Sequence, residues 1–221
     1  IKNLKKTKLS QNNKAFLISA LIVILIISYY LIPTTYNKET IQLEIKNQIF
    51  KKYKIDIKFN KKIKYGLLPK PHFTTKNLSI LRDDKEIGVV KNFKINIRGN
   101  NLLLTKGIKF ADLIFNESDF NIYQEDLVFF EELLKTEPSE NKIVIKNSNI
   151  FFKNDDNDIL FINKIKKSEF YYDSFNLVNV LKSKNEIFNI PYKLMIRNDK
   201  FNKIVLTKFN SQKIRLNIDN Q

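Results

Sequence analysis

Cysteine and tryptophan are absent, and histidine and methionine occur once each, at His72 and Met195. No cysteine means no disulfide framework and no thiol chemistry. One histidine without cysteine leaves too few nitrogen and sulfur ligands for a zinc or copper site. No metal and no cofactor are expected. Glycine is sparse too, at four residues. The chain has no P-loop, no dinucleotide fingerprint and no G-x-S-x-G elbow. A catalytic role is therefore not expected. Arginine occurs only four times, against 35 lysines. Readers of nucleic acid favour arginine, whose planar fork matches phosphates and guanine edges, so nucleic acid is not an expected partner. The excess of Lys, Asn, Ile and Phe follows AT-rich coding. The resulting net charge of +16 still attracts anionic surfaces.

One charge-free run stands out. Ala15 to Ile32 reads AFLISALIVILIISYYLI, and 12 of its 18 residues are Ile, Leu, Val or Phe. As a helix it would be roughly 27 Å long, close to the thickness of a bilayer core. Insertion of those residues is favourable by at most about 4–7 kcal/mol. Tyr29 and Tyr30 suit an interface, and Pro33 discourages continuation of the helix. Lys2, Lys5, Lys6, Lys8 and Lys14 precede the run with no acidic residue. The positive-inside rule then puts the N-terminus in the cytoplasm. The sequence predicts residues 1–14 as a cytoplasmic basic tail, 15–32 as an uncleaved single-pass anchor and 33–221 as the exported domain. A cleaved signal peptide is disfavoured, because YYLIPTTY offers no small-residue cut site.

Beyond the anchor the periodicity changes twice. Ile41, Ile45 and Ile49 recur every four residues and share one helical face, which predicts a helix capping the first strands. From Tyr53 the period becomes two. Ile55 and Ile57, then Ile63, Tyr65 and Leu67, then Thr74, Lys76, Leu78 and Ile80 alternate with their neighbours. Phe93, Ile95 and Ile97 do the same, as do Ile143 and Ile145, Leu160 and Ile162, and Leu194 and Ile196. Such alternation marks strands with one apolar and one polar face. One further helix is predicted in EDLVFFEELLK, with Leu127, Phe130 and Leu134 on one face and Pro138 as a stop. KNLSILRDD from Lys76 and KNSNIFFKNDD from Lys146 form a weak repeat, suggesting one hairpin unit used twice. KIRLNIDNQ breaks off within strand alternation, which predicts continuation past Gln221.

His72 sits in KIKYGLLPKPHF, between two strands. Pro69 and Pro71 there suit an edge or a bend. His72 has no second histidine for a metal and no carboxylate close in sequence to orient it as a base, so a structural role is expected. Asp83-Asp84 and Asp155-Asp156-Asn157-Asp158 are expected as turns. The second run lacks the glycine and downstream glutamate of a calcium loop.

Tyr65, Gly66, Leu67, Leu68, Pro69, Lys70 and Pro71, followed by Asn77, Leu78 and Ile80, resemble a motif of AsmA-like proteins. In that family an aromatic-small-Leu-Phe/Leu-Pro-Arg/Lys-Pro stretch leads into a strand. The order of anchor, short helix and strands is similar over most of residues 15–165, and the Pro motif is its specific part. The resemblance implies a mainly β fold, an elongated, curled antiparallel sheet forming a groove, with one or two short helices. It also implies a periplasmic domain anchored in the inner membrane of a Gram-negative bacterium. The role it implies is outer-membrane biogenesis or phospholipid transport, with acyl chains, the inner membrane and envelope proteins as partners and no catalytic residues. Expected groove-lining residues are Ile55, Ile57, Phe93, Ile95, Ile97, Ile143 and Ile145. The alternative is a scaffold with a closed core, whose basic surface binds anionic lipid, lipopolysaccharide or a protein.

Overall fold

The computed structural model describes residues 11–99, 102, 108–134, 141–198, 203–209 and 215–220. Its helices are α1 (Gln11–Leu31), α2 (Lys38–Tyr53) and α3 (Leu127–Leu134). The strands are β1 (Asp56–Phe59), β2 (Lys64–Gly66), β3 (His72–Arg82), β4 (Lys85–Ile97), β5 (Phe110–Tyr123) and β6 (Lys142–Lys153). They continue as β7 (Ile159–Asp173), β8 (Val178–Ile187), β9 (Ile190–Asn198), β10 (Lys203–Phe209) and β11 (Arg215–Asn220). All belong to one open sheet in the order β1-β3-β4-β5-β6-β7-β8-β9-β10-β11, with β2 paired to β3. The fold is mainly β, as expected. The sheet is mixed, however, because β5 and β6 run parallel while the other neighbours are antiparallel. Residues 124–134, a 3-10 turn followed by α3, belong to the long return that a parallel pair needs.

Every large apolar side chain from Phe16 to Ile27 on α1 is exposed. The stretch Asn13–Thr35 contains an 18-residue window of mean hydropathy 2.7 and is long and apolar enough to cross a membrane. A helix apolar all round whose large side chains from Phe16 to Ile27 are all exposed suits a lipid surround.

Tyrosines tie its outer end to the foot of the sheet. The Tyr29 hydroxyl donates to the Gly99 carbonyl at 2.9 Å, and Tyr65 donates to the Tyr30 carbonyl at 2.6 Å. Tyr36 donates to the Leu102 carbonyl. Burial of Tyr36 and Tyr65 pushes both phenols above their ordinary pKa, so they remain neutral donors.

α2 begins at Asn37, whose side chain accepts from the Thr40 amide at 2.9 Å. It ends at Lys54, in the left-handed conformation at φ 55°. Ile41, Ile45, Ile49 and Tyr53 face the sheet and are buried with Ile57, Phe73, Leu78, Val90, Phe93, Ile95 and Leu113. This is the predicted cap.

A line of irregularities crosses the sheet. Asn77, Glu117 and Asn147 all have positive φ, at 56°, 55° and 48°. The ladders skip there: Lys76 pairs with Asn92 and Leu78 with Val90, leaving Asn77 and Lys91 out. One residue drops out on each strand, so the register is kept while the pleat changes phase on both. Phe73 and Thr75 therefore share the α2 side with Leu78 and Ile80, rather than Thr74 and Lys76 doing so as simple alternation predicted. Asn77 and Asn147 occupy equivalent places in the two KN segments, so the repeat marks a shared kink. Asn tolerates left-handed backbone better than most residues.

The Asp-rich segments are turns. Asp83 and Asp84 link β3 to β4 with φ of 48° and 61°. In the second run the Asp158 amide donates to the Asn154 side chain at 2.8 Å.

Candidate functional site

The strand registers sort side chains onto two faces. Phe93 pairs with Phe115, and Ile95 with Leu113. Those in turn pair with Ile145 and Ile143 of β6. The same face then runs through Ser168 and Phe170 on β7, Ser183 and Leu181 on β8, and Leu194 and Ile196 on β9. This apolar face is continuous across the sheet, but its covering is not.

Over β1, β3, β4 and β5 the face lies beneath α2. Of the expected lining residues, Ile57, Phe93, Ile95 and Ile97 are buried there at 1–4 % exposure, and Ile55 is half-buried against them. These five belong to a packed core. Ile143 packs at the core's margin and Ile145 lies beyond it, both half-buried. From β6 onward the face contributes no residue to the buried cluster beneath α2, and only Ile143 packs against its margin. Ile150, Phe152, Phe161, Leu181, Leu194 and Ile196 are half-buried, although Ile165 and Phe170 are more deeply enclosed. Residues of β7–β9 were missed as lining. Their signal was present in the Leu194/Ile196 alternation, but nothing local distinguishes a roofed strand from an unroofed one.

The distal face also carries a polar patch. Asn163, Ser183 and Asn185 are buried. Tyr192 donates to the Asn163 side-chain oxygen at 2.9 Å, and Ser183 donates to that of Asn185 at 2.5 Å. Burial raises the Tyr192 pKa, so the phenol stays protonated.

The opposite face is basic. A cleft of about 880 Å³ opens there, floored in part by Phe93 and Ile114 and rimmed by Lys61, Lys62, Lys64, Lys76, Lys94 and Lys146. Lys62 pairs with Glu39 at 2.7 Å. Farther along, Glu169 takes Lys142 at 2.7 Å and Lys167 at 2.9 Å. Hydrogen bonds from those two ammonium groups hold the Glu169 carboxyl down at a pKa of about 2. Glu186 takes Lys164 and Lys166, each at 3.2 Å, and is lowered for the same reason.

The motif residues Tyr65, Gly66, Leu67, Leu68, Pro69, Lys70 and Pro71 form β2 and the bend into β3. Tyr65 is the clasp on α1, and the peptide Leu68–Pro69 is cis. His72 Nδ1 lies 2.6 Å from the Lys70 carbonyl. Its ring fills the space over Gly66, where an added Cβ would sit 2.6 Å from Nε2. His72 therefore closes the bend. Among the described residues no cluster of three His, Cys, Asp or Glu could hold a metal ion. No protein-family model matches the chain, and no curated protein matches it.

Proposed function

We propose that the chain is a membrane-anchored carrier that shields lipid acyl chains on the distal apolar face of its sheet, in the manner of AsmA-like proteins. The observation that carries this reading is the continuity of one apolar face from a helix-covered core onto strands outside that core, where its large side chains are half-buried. Apolar surface left without a protein partner either meets a ligand or associates. Acyl chains partition there without a covalent step, and no enzymatic activity or cofactor is invoked. The buried Asn163, Ser183, Asn185 and Tyr192 group supplies polar contacts for an ester or a headgroup at one level of an otherwise apolar surface. The lysine bias before α1 supports an N-terminus in the cytoplasm and an exported sheet, and the resemblance to AsmA-like proteins extends this to a Gram-negative periplasm and a role in outer-membrane biogenesis.

Site-specific photo-crosslinking in the native membrane tests this reading. Probes go at Ile196 on the apolar face, Arg197 one residue away on the other face, and Ile95 in the core. Phospholipid trapped at Ile196 alone supports the carrier. Crosslinks at Ile196 that reach only this chain or another protein reject it. They would support the second reading, a closed scaffold, which the sealed core over β1, β3, β4 and β5 favours.

A further inference from the structure

We infer that the basic face binds a flexible linear polymer of phosphates along a polar row that crosses eight strands and carries a lysine on six of them and an asparagine on two. The row follows from register alone. Lys76 pairs with Asn92, Asn92 with Asn116, and Asn116 with Lys146. Lys146 pairs with Lys167, Lys167 with Lys184, Lys184 with Lys193, and Lys193 with Lys208. All of these positions lie on the face opposite Phe93 and Ile145. Seven strand spacings separate Lys76 from Lys208, roughly 34 Å.

Like charges directly opposite one another repel, and here five lysines in succession are register neighbours. Neighbouring rungs behave differently. Glu169 stands opposite Lys182 and is paired with Lys142 and Lys167. Glu186 stands opposite Lys164 and is paired with it and with Lys166. The flanking rungs therefore carry their own acids, and the row between them carries none. Among the described residues Lys167 alone in the row reaches an acid, at 2.9 Å on the next rung. At its β3–β6 end the row enters the basic cleft, where the amides of Asn92 and Asn116 bind Glu117 at 3.1 and 3.0 Å.

The geometry selects the class of ligand. Adjacent strands rotate by roughly 20–25°, so a row crossing many strands winds. A flat bilayer would meet only part of it, whereas a flexible chain can follow it. Lysine is a compact point charge that accepts phosphate from many directions, which suits a polymer without fixed register. This inference uses the face opposite the acyl-chain surface, so either reading can fail alone.

The test uses the full chain in nanodiscs of neutral lipid and end-labelled long-chain inorganic polyphosphate, read by fluorescence anisotropy. Long-chain polymer should bind about 100-fold more tightly than pyrophosphate, with affinity falling steeply as salt rises. Removing row charges in K146Q/K184Q/K193Q should weaken binding about 30-fold, while removing as many off-row charges in K153Q/K164Q/K182Q should weaken it less than about 3-fold. Equal weakening by the two triples would mean that net charge alone acts, and would overturn the row. So would equal affinity for polyphosphate and pyrophosphate, or binding to phosphatidylglycerol vesicles with none to the polymer. The substituted side chains sit on the basic face, and unchanged thermal unfolding of each triple keeps the comparison clean.

Discussion

The two halves of the sheet share one apolar face and differ in what lies on it. In the membrane-proximal half, α2 sets Ile41, Ile45 and Ile49 onto Ile57, Leu78, Phe93 and Ile95, and all are buried. In the distal half the equivalent positions, such as Leu181, Leu194 and Ile196, are half-buried and lie outside the cluster that α2 covers. Length explains the difference. At 1.5 Å per residue the 16 residues of α2 make a rod of about 24 Å, the width of about five strands. Gln42 donates to the Lys61 carbonyl from one part of this helix, and Gln48 to the Ile108 carbonyl from another. The sheet is wider than its one roofing helix can cover. A sheet that outgrows its cover is a core at one end and a surface at the other.

That contrast can be broken most forcefully at its centre. Ile45→Asp puts a charge where exposure is 0 %, and should cost at least about 4 kcal/mol. Ile196→Asp should cost less than about 1 kcal/mol, because its neighbourhood is half open. Chemical denaturation of the two variants measures both. Equal losses would mean that the distal face is a closed core as well.

A smaller effect is expected at the Arg82–Asp126 pair, which pins the β3–β4 hairpin to the crossover. Asp126 is buried, also accepts from the Tyr123 amide at 2.9 Å, and its partner guanidinium lies 4.7 Å from the Phe129 ring centroid. Asp126→Ala should destabilise by about 3 kcal/mol by removing the buried partner of Arg82 and the acceptor of the Tyr123 amide, leaving Arg82 only the exposed Asp83 at 3.5 Å. Thermal unfolding should show the loss, and little change would place the pair among the weak surface bridges.

Next come the kinks. Asn77→Val and Asn147→Val force a β-branched residue into left-handed backbone and should cost about 1–2 kcal/mol each, while glycine at either site should be nearly neutral. A larger loss at Asn77 than at Asn147 would follow from the roofed half having more to lose when the pleat slips.

The smallest effect concerns acid. Glu169 has a folded pKa of about 2, below its usual 4.5. A depressed carboxylate adds stability above its unfolded pKa, and that contribution is lost as pH falls from about 4.5 towards 2. Glu169→Gln should flatten stability against pH across this window. An unchanged profile would mean that Lys142 and Lys167 are too well solvated to matter.

Much of this architecture could be read from residues. The apolar run became α1, the four-residue isoleucine spacing became the buried stripe of α2, and the Asp pairs became turns. The helix in EDLVFFEELLK formed as α3, though Leu127 and Val128 on it are exposed; Lys135 and Pro138 lie outside the described residues, as does Ile214. The parallel pairing of β5 with β6 was not legible, because alternation is the same in either direction. The phase slip at Lys76-Asn77 was legible in retrospect. Phe73 and Thr75 are followed by Leu78 and Ile80, one residue out of step, with an Asn at the break. Leu160 and Ile162 alternate correctly and yet are exposed, since apolar alternation does not say that a face is covered. The lysine row was invisible in one dimension, because its members are neighbours only after eight strands take their register.

The tyrosine clasp between α1 and the foot of the sheet makes the molecule a mast with its sail lashed on. Tyr29 to Gly99, Tyr65 to Tyr30 and Tyr36 to Leu102 tie the end of the helix and the turn after it to the strands at three points. A helix changes its tilt to match the thickness of the bilayer around it. Here such a change would be delivered to the whole sheet as a lean, so the attitude of both of its faces becomes a reading of membrane thickness.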